Sequence, residues 1–371
     1  MPQQSVLSKV DNISSFLADT AGGRIPDMFG EIQSQTQVWP DAFERIPPQI
    51  EEIVNQEWFR LASSLDIVGI GSSENAAWIA ALGISSARVC VQPSTSYHPV
   101  SDVMVAISQS GESTDTIEAV EYGKQRGIHV IGVTAAANSA LYRLADATIL
   151  LDVPRENAIA ATVSMTTTVL ALQMLLARFA GTEYESRQGI GDELQSLIAS
   201  QSERGSALHS LRLLLEPAQY IAVLGDGPYV GVAREVALKI RETTGVIAEG
   251  MNAREYRHGP MEVLASPRLA ATGVRRALIL FESELVKAEA VLGFYGGLER
   301  KYRGTPYEFT LIRVGVGRAA TGHDVVLPGV GAFNPNLAVV FCGQLVAYEL
   351  ALRHGIVPGT SEVLSKVVVG T

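Results

Sequence analysis

A hydroxyl-rich turn is the first part of this chain whose residue types could do chemistry. Residues 107–114 are Ile-Ser-Gln-Ser-Gly-Glu-Ser-Thr. The apolar run at 102–107 predicts a buried strand, and residues 113–120 are typical of the start of a helix. Free backbone N–H groups, the positive end of a helix dipole and several hydroxyls together suit a phosphate. Hydroxyl residues are also the usual helix caps, so Ser113 or Thr114 could instead only cap the helix.

A predicted helix in the second half carries acidic and basic groups on one face. In residues 231–242, spacings of three and four place Glu235, Lys239 and Glu242 together. A positioned carboxylate can move a proton between two carbons, but the same spacing also describes an ordinary surface ion-pair ladder. Further along, His258 belongs to a His-Gly-Pro sequence that cannot continue a helix. We therefore expect its imidazole on a turn, where functional side chains concentrate.

Strands that alternate with helices must position these groups. Apolar runs predict strands at residues 65–70, 88–91, 102–107, 129–134, 148–153, 220–224 and 277–281. The later strands repeat the pattern of the earlier ones, with glycines after the strand at 220–224 as after the strand at 65–70. This pattern predicts an α/β protein with an internal duplication, each copy a parallel, doubly wound sheet flanked by helices.

The two copies differ at the turn that is the candidate phosphate site. Where the first copy has its hydroxyl-rich turn, the second has Phe-Glu-Ser-Glu-Leu at 281–285. Two carboxylates at a helix N-terminus suit the dipole but repel an anion. The sequence therefore predicts one phosphate site per chain, in the first half.

The connecting segments are less regular. Gly-Gly at 22–23 and Pro-Pro at 47–48 are expected to break the N-terminal region into an arm and short helices. Residues 160–179 and 194–215 each predict one long helix, and the polar stretch at 181–191 between them is a candidate linker.

Composition excludes several classes of protein. The formal charge of -10 argues against a nucleic-acid partner, and the two cysteines and six separated histidines argue against disulfides or zinc. Residues 1–5 lack the features of a signal peptide. The apolar tracts at 158–180 and 337–352 carry polar residues, so no membrane span is predicted. We expect a cytoplasmic protein without metal or cofactor.

Five segments, taken in order, resemble the double-SIS sugar-isomerase family, most closely the isomerase half of glucosamine-6-phosphate synthase. They are Gly-Ile-Gly-Ser-Ser at 69–73, Ser-Gln-Ser-Gly-Glu-Ser at 108–113, Ala-Leu-Lys-Ile-Arg-Glu at 237–242, Arg-His-Gly-Pro at 257–260 and Val-Leu-Ser-Lys-Val at 363–367. The resemblance implies two tandem SIS domains. Its expected divisions are an N-terminal arm with helices at 1–52, a first SIS domain at 53–185, a second at 186–357 and a tail closing the active site at 358–371.

The resemblance also implies roles for single residues. The substrate phosphate would be held by Ser73, Ser108, Gln109, Ser110 and Ser113. Ser72 would line the sugar side of that pocket, and Glu156 matches the acidic residue that opens the loop after the family's fifth strand.

The chemistry would belong to residues of the second half and the tail. Glu242 would shuttle a proton between C1 and C2, and Lys239 would orient it. His258 would assist ring opening from the neighbouring subunit, which implies a homodimer with shared active sites. Lys366 would contact the open-chain sugar as an imine-forming or charge-stabilising amine.

The sequence also departs from the family. Residue 2 is Pro where the glutaminase nucleophile would be Cys, so no glutaminase activity is expected. Thr162-Val163 replaces a usual Thr-Lys pair, which puts a local salt bridge and the substrate preference in doubt, and 359–364 depart from the family's tail.

The implied substrate is a hexose 6-phosphate, and the leading expectation is conversion of glucosamine 6-phosphate to fructose 6-phosphate plus ammonia. The alternatives are a fructosamine-6-phosphate deglycase, a plain aldose–ketose isomerase and a non-catalytic sugar-phosphate sensor.

Overall fold

Two parallel sheets of the same topology form the framework of the chain. The computed structural model describes residues 27–82, 88–184, 189–200, 203, 205–282, 289–316, 324–327, 335–361 and 363. The predicted Lys366 and the acidic turn at 283–285 lie outside the described residues.

The first sheet has the order β2-β1-β3-β4-β5, with every neighbouring pair parallel. Its strands are β1 Leu65–Gly69, β2 Val89–Pro93, β3 Val103–Ile107, β4 His129–Thr134 and β5 Ala147–Leu150. The helices of this half are α1 Met28–Val54, α2 Glu57–Leu61, α3 Ser72–Leu82, α4 Thr114–Lys124, α5 Ala140–Leu144 and α6 Val163–Phe179.

The second sheet repeats this order as β7-β6-β8-β9-β10, again with parallel neighbours. Its strands are β6 Tyr220–Gly225, β7 Ile247–Asn252, β8 Arg276–Glu282, β9 Thr310–Val316 and β10 Val325–Leu327. The helices are α7 Ile190–Ser200, α8 Ala207–Leu215, α9 Tyr229–Thr244, α10 Pro267–Ala271, α11 Glu289–Tyr302 and α12 Pro335–Arg353. The predicted α/β class with a duplicated, parallel, doubly wound sheet is confirmed.

Successive side chains along each strand point to opposite faces of the sheet, so each sheet packs against two separate cores. On β3, Val103 and Val105 join a large cluster, whereas Met104 faces a smaller one beneath α4. On β6, Ile221 and Val223 enter the same large cluster from the second half. One continuous core therefore lies between the two sheets, and it contains side chains of α1, α3, α6, α9 and α12.

The helix α12 is apolar because of this position. It is long and apolar enough to cross a membrane by length and composition, but 78% of the window Asn336–Arg353 is buried inside the protein. Its packing against α9 and α8 accounts for that composition.

Three sequence-based predictions of elements were wrong. The long helix expected at 194–215 is two helices, α7 and α8, and Gly205 between them has φ +85°, which does not continue a helix. The prolines at 47–48, expected to break the chain, lie inside α1. Residues 190 and 191, placed in the candidate linker, already belong to α7.

The 27 residues of α1 form one helix because its apolar face is buried. Trp39, Ile46 and Ile50 on that face are at most 1% exposed, and Trp39 Nε1 donates to Thr166 Oγ1 at 3.1 Å. A proline inside a helix costs about 3 kcal/mol through its missing donor and its ring. Burying one large apolar side chain returns about 1.5–3 kcal/mol, so packing outweighs local propensity here.

The two halves are in close contact where α3 meets α9. Gly231 of α9 has no side chain, and a Cβ built there would lie 2.8 Å from both Ile79 N and Ile79 Cγ1 of α3. Because one of these atoms belongs to the backbone, the contact cannot be relieved by a rotamer change.

We expect Gly231→Ala to lower the free energy of unfolding by about 1–3 kcal/mol, because the new methyl group forces α3 and α9 apart. Gly293→Ala is the matched control, since a Cβ at Gly293 of α11 meets no atom within 4 Å. The control should be neutral or stabilising by up to about 1 kcal/mol through helix propensity. Denaturant unfolding of both variants measures the difference, and equal effects would contradict this account of the interface.

Candidate active site

The site lies where the strand order of the first sheet reverses. Since β1 stands between β2 and β3, the chain leaves β1 to one side and β3 to the other. In open parallel sheets, ligands bind in the crevice that this reversal leaves at the carboxyl ends of the strands. The predicted residues Ser72 and Ser73 directly follow β1, and the turn at 108–113 directly follows β3.

A cavity of about 800 Å³ occupies this crevice. Its walls include the predicted residues Ser73, Ser108, Gln109, Ser110, Ser113, Glu156 and Glu242. Ser72 lines an adjoining recess of about 140 Å³, which Glu242 also lines. The phosphate-binding candidates of the first half and the candidate base of the second half thus share one space.

The hydroxyl turn has a backbone that requires glycine at one point. Gly111 has φ +66°, and a Cβ there would lie 2.0 Å from Ser139 Oγ. Gly111 N donates to Ser108 O at 3.0 Å, which closes the turn. This shape holds the serine hydroxyls at the cavity wall.

Ser113 occupies the N-cap position of α4 without acting as a side-chain cap. Its backbone has φ −64° and ψ 116°, and its hydroxyl makes no capping hydrogen bond. Ser139 and Ser206, at the starts of α5 and α8, do accept a backbone N–H of their own helices. The simple capping interpretation of Ser113 therefore does not apply, and its hydroxyl stays available to a ligand in the cavity.

Glu156 is a buried carboxylate surrounded by neutral donors. Oε1 accepts from Thr162 N at 2.8 Å, Thr162 Oγ1 at 3.0 Å and Ser164 N at 3.2 Å. Oε2 accepts from Ser164 Oγ and Gln109 Nε2, both at 2.5 Å. Hydroxyl and amide donors thus satisfy this acid at the start of α6, where Val163 replaces the lysine of the resembling family.

The same contact changes what Gln109 can offer a ligand. Its side-chain Nε2 donates one of its two N–H groups to Glu156, and its backbone carbonyl oxygen accepts from Ala135 N at 3.0 Å and Thr134 Oγ1 at 3.1 Å. A contact of Gln109 with a phosphate in this arrangement would use its backbone N–H or the second N–H of Nε2.

Lys239 joins the two halves beside the cavity. Its ammonium group lies 2.6 Å from Glu242 Oε2 and 3.3 Å from Glu235 Oε1, and it donates to Ser72 Oγ at 3.1 Å. Glu235 in turn accepts from Ser72 Oγ at 3.1 Å and from Asn75 Nδ2 at 2.8 Å. These contacts fix α9 against α3 and hold the Glu242 carboxylate at the wall of the cavity.

Burial and charge act on Lys239 in opposite directions. Lys239 is 1% exposed and Glu235 is fully buried. Burial alone would lower the pKa of Lys239, but the carboxylates of Glu235 and Glu242 outweigh burial and hold that pKa above its usual value. The surface ion-pair interpretation of this helix face is wrong for Glu235 and Lys239, because both side chains are inside the protein.

Comparison with known proteins agrees with this architecture. Residues 59–178 match the SIS domain. The isomerizing glutamine–fructose-6-phosphate aminotransferase of Aeropyrum pernix is 33% identical, over 92% of this chain and 57% of that protein. This chain contains a SIS domain. It spans about half the length of the curated relatives it matches.

Solved structures share the fold of the whole described chain. The C-terminal domain of glucosamine-fructose-6-phosphate aminotransferase from Francisella tularensis has a TM-score of 0.68 at 22% identity, covering 90% of this chain and 98% of that one. Glucosamine-6-phosphate deaminase from Thermotoga maritima has a TM-score of 0.68 at 20% identity, covering 92% and 99%. The matched SIS domain contains the hydroxyl turn, and Glu242 comes from the second half.

The remaining predicted residues are not part of this cavity. His258 ends a short 3₁₀ helix, Glu255–His258, and is exposed outside the lining of its own chain's cavity. Lys366 lies outside the described residues. Both roles therefore stay predictions.

Sequence reasoning missed the groups that hold the loop after β5. Glu31 of α1 accepts from Asn157 N at 2.5 Å and Ala158 N at 3.1 Å, and Ile159 N donates to Gly359 O at 2.9 Å. The N-terminal helix and the beginning of the tail thus both contact the cavity loop. No spacing in the sequence signals contacts between positions so far apart.

No described cluster of three or more His, Cys, Asp or Glu side chains could hold a metal ion. Of the two cysteines, Cys342 is fully buried, and burial raises the pKa of its thiol to about 12. What the described site offers a ligand is hydroxyls, backbone N–H groups, carboxylates and the guanidinium of Arg155.

We expect Ser113→Ala to leave the free energy of unfolding within about 0.5 kcal/mol of wild type, because no capping bond is lost. Ser206→Ala should cost about 1 kcal/mol, because Ser206 Oγ accepts from His209 N. Thermal or urea unfolding compares the two variants. Equal losses would show that Ser113 acts as a cap after all.

Proposed function

We propose that this protein moves a proton between C1 and C2 of a hexose 6-phosphate and releases an amine. The leading substrate is glucosamine 6-phosphate, converted with water to fructose 6-phosphate and ammonia. The observation that carries the proposal is that Glu242 lines the same cavity as the hydroxyl turn. The similarity to an aminotransferase region and to a deaminase of this sugar supports the choice of substrate.

Each wall of the cavity suits one end of such a substrate. The phosphate on C6 would take hydrogen bonds from the hydroxyls of Ser73, Ser108, Ser110 and Ser113 and from the N-terminus of α4. The reacting carbons C1 and C2 lie at the other end of the sugar, which would reach toward Glu242. Holding the phosphate thus places the reacting carbons beside the base.

Glu242 would act as the base. It would take the proton from C2 of the open-chain aldose and return it to C1 through an enolamine. This transfer gives an imine at C2, which water hydrolyses to the ketone and ammonia. A general base of this kind contributes about 10²–10⁴-fold to the rate.

Lys239 and Glu235 would keep that base in place. The ammonium group of Lys239 holds the Glu242 carboxylate at 2.6 Å, and Glu235 offsets the lysine charge. Because Lys239 is bound on three sides, its part is to orient Glu242.

Two further groups would complete the site without a cofactor. His258, exposed on its own chain, would assist ring opening in the site of a second copy within a homodimer. Lys366 follows Gly359, whose carbonyl is bound at the cavity loop, and would contact the open-chain sugar near C1 and C2.

Product analysis tests the reaction itself. Incubation with glucosamine 6-phosphate should release fructose 6-phosphate and ammonia in equal amounts. Release of glucose 6-phosphate from fructoselysine 6-phosphate alone would replace the deaminase by a deglycase. Interconversion of unsubstituted aldose and ketose phosphates alone would indicate a plain isomerase, and binding without turnover would indicate a sensor.

We expect Glu242→Gln to lower kcat by about 10²–10⁴-fold, because the amide cannot accept the proton. Binding of glucitol 6-phosphate, an ester without a carbonyl, should change less than about threefold, because the phosphate contacts remain. Glu118→Gln, an exposed change on α4, is the control and should keep full activity. Near wild-type turnover by Glu242→Gln would remove this residue as the base.

We expect inactive His258→Ala chains and inactive Glu242→Gln chains to recover activity when mixed. In a shared-site dimer, each hybrid assembles one site that has both residues intact. Activity should approach about one quarter of wild type after full subunit exchange, since half the chains enter hybrids with one working site each. Absence of recovery, with exchange verified by differently tagged subunits, would place His258 outside the neighbouring site.

A further inference from the structure

We propose that Arg155 recognises the charged phosphate of the substrate and selects 6-phosphorylated sugars over neutral ones. This inference rests on the proposed function. Arg155 belongs to the loop after β5 and lines the main cavity. Its side chain is exposed, and within the described ranges its guanidinium has neither an ion pair nor a hydrogen bond.

The wall of the cavity carries more acidic than basic side chains, so a bound phosphate needs a cation nearby. Arg155 is its one basic lining residue among those described, against the acidic Asp115, Glu156 and Glu242. Asp115 lies in the first turn of α4, directly beside the hydroxyl turn. The chain as a whole carries -10, so no general field favours an anion.

The other cation described near the site, Lys239, is already paired with carboxylates. The charge of Lys239 is shared between Glu235 and Glu242, and that group of three carries a net negative charge. The N-terminus of a helix offers only about half a positive charge, whereas a phosphate monoester carries about −1.5 to −2. Hydroxyls can donate to the phosphate oxygens but cannot balance that charge.

The side chain of Gln109 does not supply the missing positive charge. Its neutral amide donates one N–H to Glu156 Oε2, and its second N–H adds a donor but no charge. A guanidinium supplies several fixed donors together with a permanent charge, and its planar fork matches two phosphate oxygens at once.

Arg155 reaches the cavity from the same sheet as the hydroxyl turn. In the order β1-β3-β4-β5, the hydroxyl turn follows β3 and the loop of Arg155 follows β5. Glu242 comes from α9 of the second half and shares a smaller recess with Ser72, Ser73 and Gln109. The guanidinium and the candidate base thus reach the cavity from different elements, so Arg155 can meet the phosphate while Glu242 serves C1 and C2.

The two residues that follow Arg155 are held in place. Glu156 is bound by Thr162 and Ser164, and Asn157 N donates to Glu31 Oε1. The side chain thus extends from an anchored loop, and less conformational freedom is lost when it meets an anion.

Binding of inorganic phosphate and of glucitol 6-phosphate to Arg155→Met tests the inference by titration calorimetry. We expect the Kd of both probes to rise about tenfold or more, because a charge-assisted contact is removed. Arg155→Lys should recover part of the loss, since it restores the charge but not the fork. Arg60→Met, which removes an exposed arginine of α2 outside the cavity lining, should bind both probes as wild type does.

Turnover separates the role of Arg155 from that of the base. With glucosamine 6-phosphate, Arg155→Met should raise KM about tenfold while kcat stays within about threefold, because the lost contact is equal in the ground and transition states. Unchanged binding of both probes by a folded Arg155→Met chain would overturn the inference. If Arg155→Met lost turnover only with sugars whose leaving amine carries a carboxylate, the inference would also be overturned, because Arg155 would then face the amine end of the substrate.

The probes also separate this inference from the proposed function. Neither inorganic phosphate nor glucitol 6-phosphate can be isomerised, so the comparison of Kd values stands whatever reaction the wild type performs. If wild type binds both probes but does not turn over glucosamine 6-phosphate, only the proposed reaction fails. If wild type binds neither probe, both fail.

Discussion

The buried ammonium group of Lys239 is the interaction on which the site depends. Removing an ion from water costs several kcal/mol, and that cost is offset only when partners surround the charge. Here Glu235, Glu242 and Ser72 surround it, the first two from α9 and the third from α3. Because Ser72 begins the helix that follows β1, the ion pair also joins the phosphate-binding half to the half that supplies the base. The same contacts that neutralise the lysine therefore align the two walls of the cavity.

Much of the candidate site was predictable because its residues are local signals. A strand, a hydroxyl turn with glycine and a helix are contiguous in sequence, and the acidic and basic face of α9 follows from helical spacing alone. The burial of that face was not predictable, since spacing cannot distinguish an exposed ladder from a group enclosed by another helix. Arg155 carries no motif, and only the fold brings its loop beside the hydroxyl turn. The commitment of Gln109 to Glu156 likewise depends on a contact across 47 residues.

The elements of the fold were likewise predictable where their cause is local in sequence, and not where it depends on distant contacts. Central strands such as β3 and β6 were predictable because their apolar residues are continuous. Strands β7, β9 and β10 were missed. Glu249 and Gly250 interrupt β7, Arg313 and Gly315 interrupt β9, and β10 has only three residues. The prolines of α1 gave the wrong signal because tertiary burial of Trp39 and its neighbours outweighs their local cost. Identical strand order in both halves appears only when the missed strands are included.

The buried amide contact between α1 and α12 bears on how this chain reaches its native state. Gln35 Nε2 donates to Gln344 Oε1 at 2.8 Å across 309 positions, and Gln344 Nε2 donates to Thr162 O at 3.2 Å. Contacts of such sequence separation form slowly, because chain-closure entropy must be overcome before they contribute. On a ribosome, α1 emerges long before α12, and Gln35 finds its first partners within its own half, because Nε2 donates to Ile32 O and Oε1 accepts from Thr166 Oγ1. The contact with Gln344 is therefore the last of the Gln35 hydrogen bonds to form.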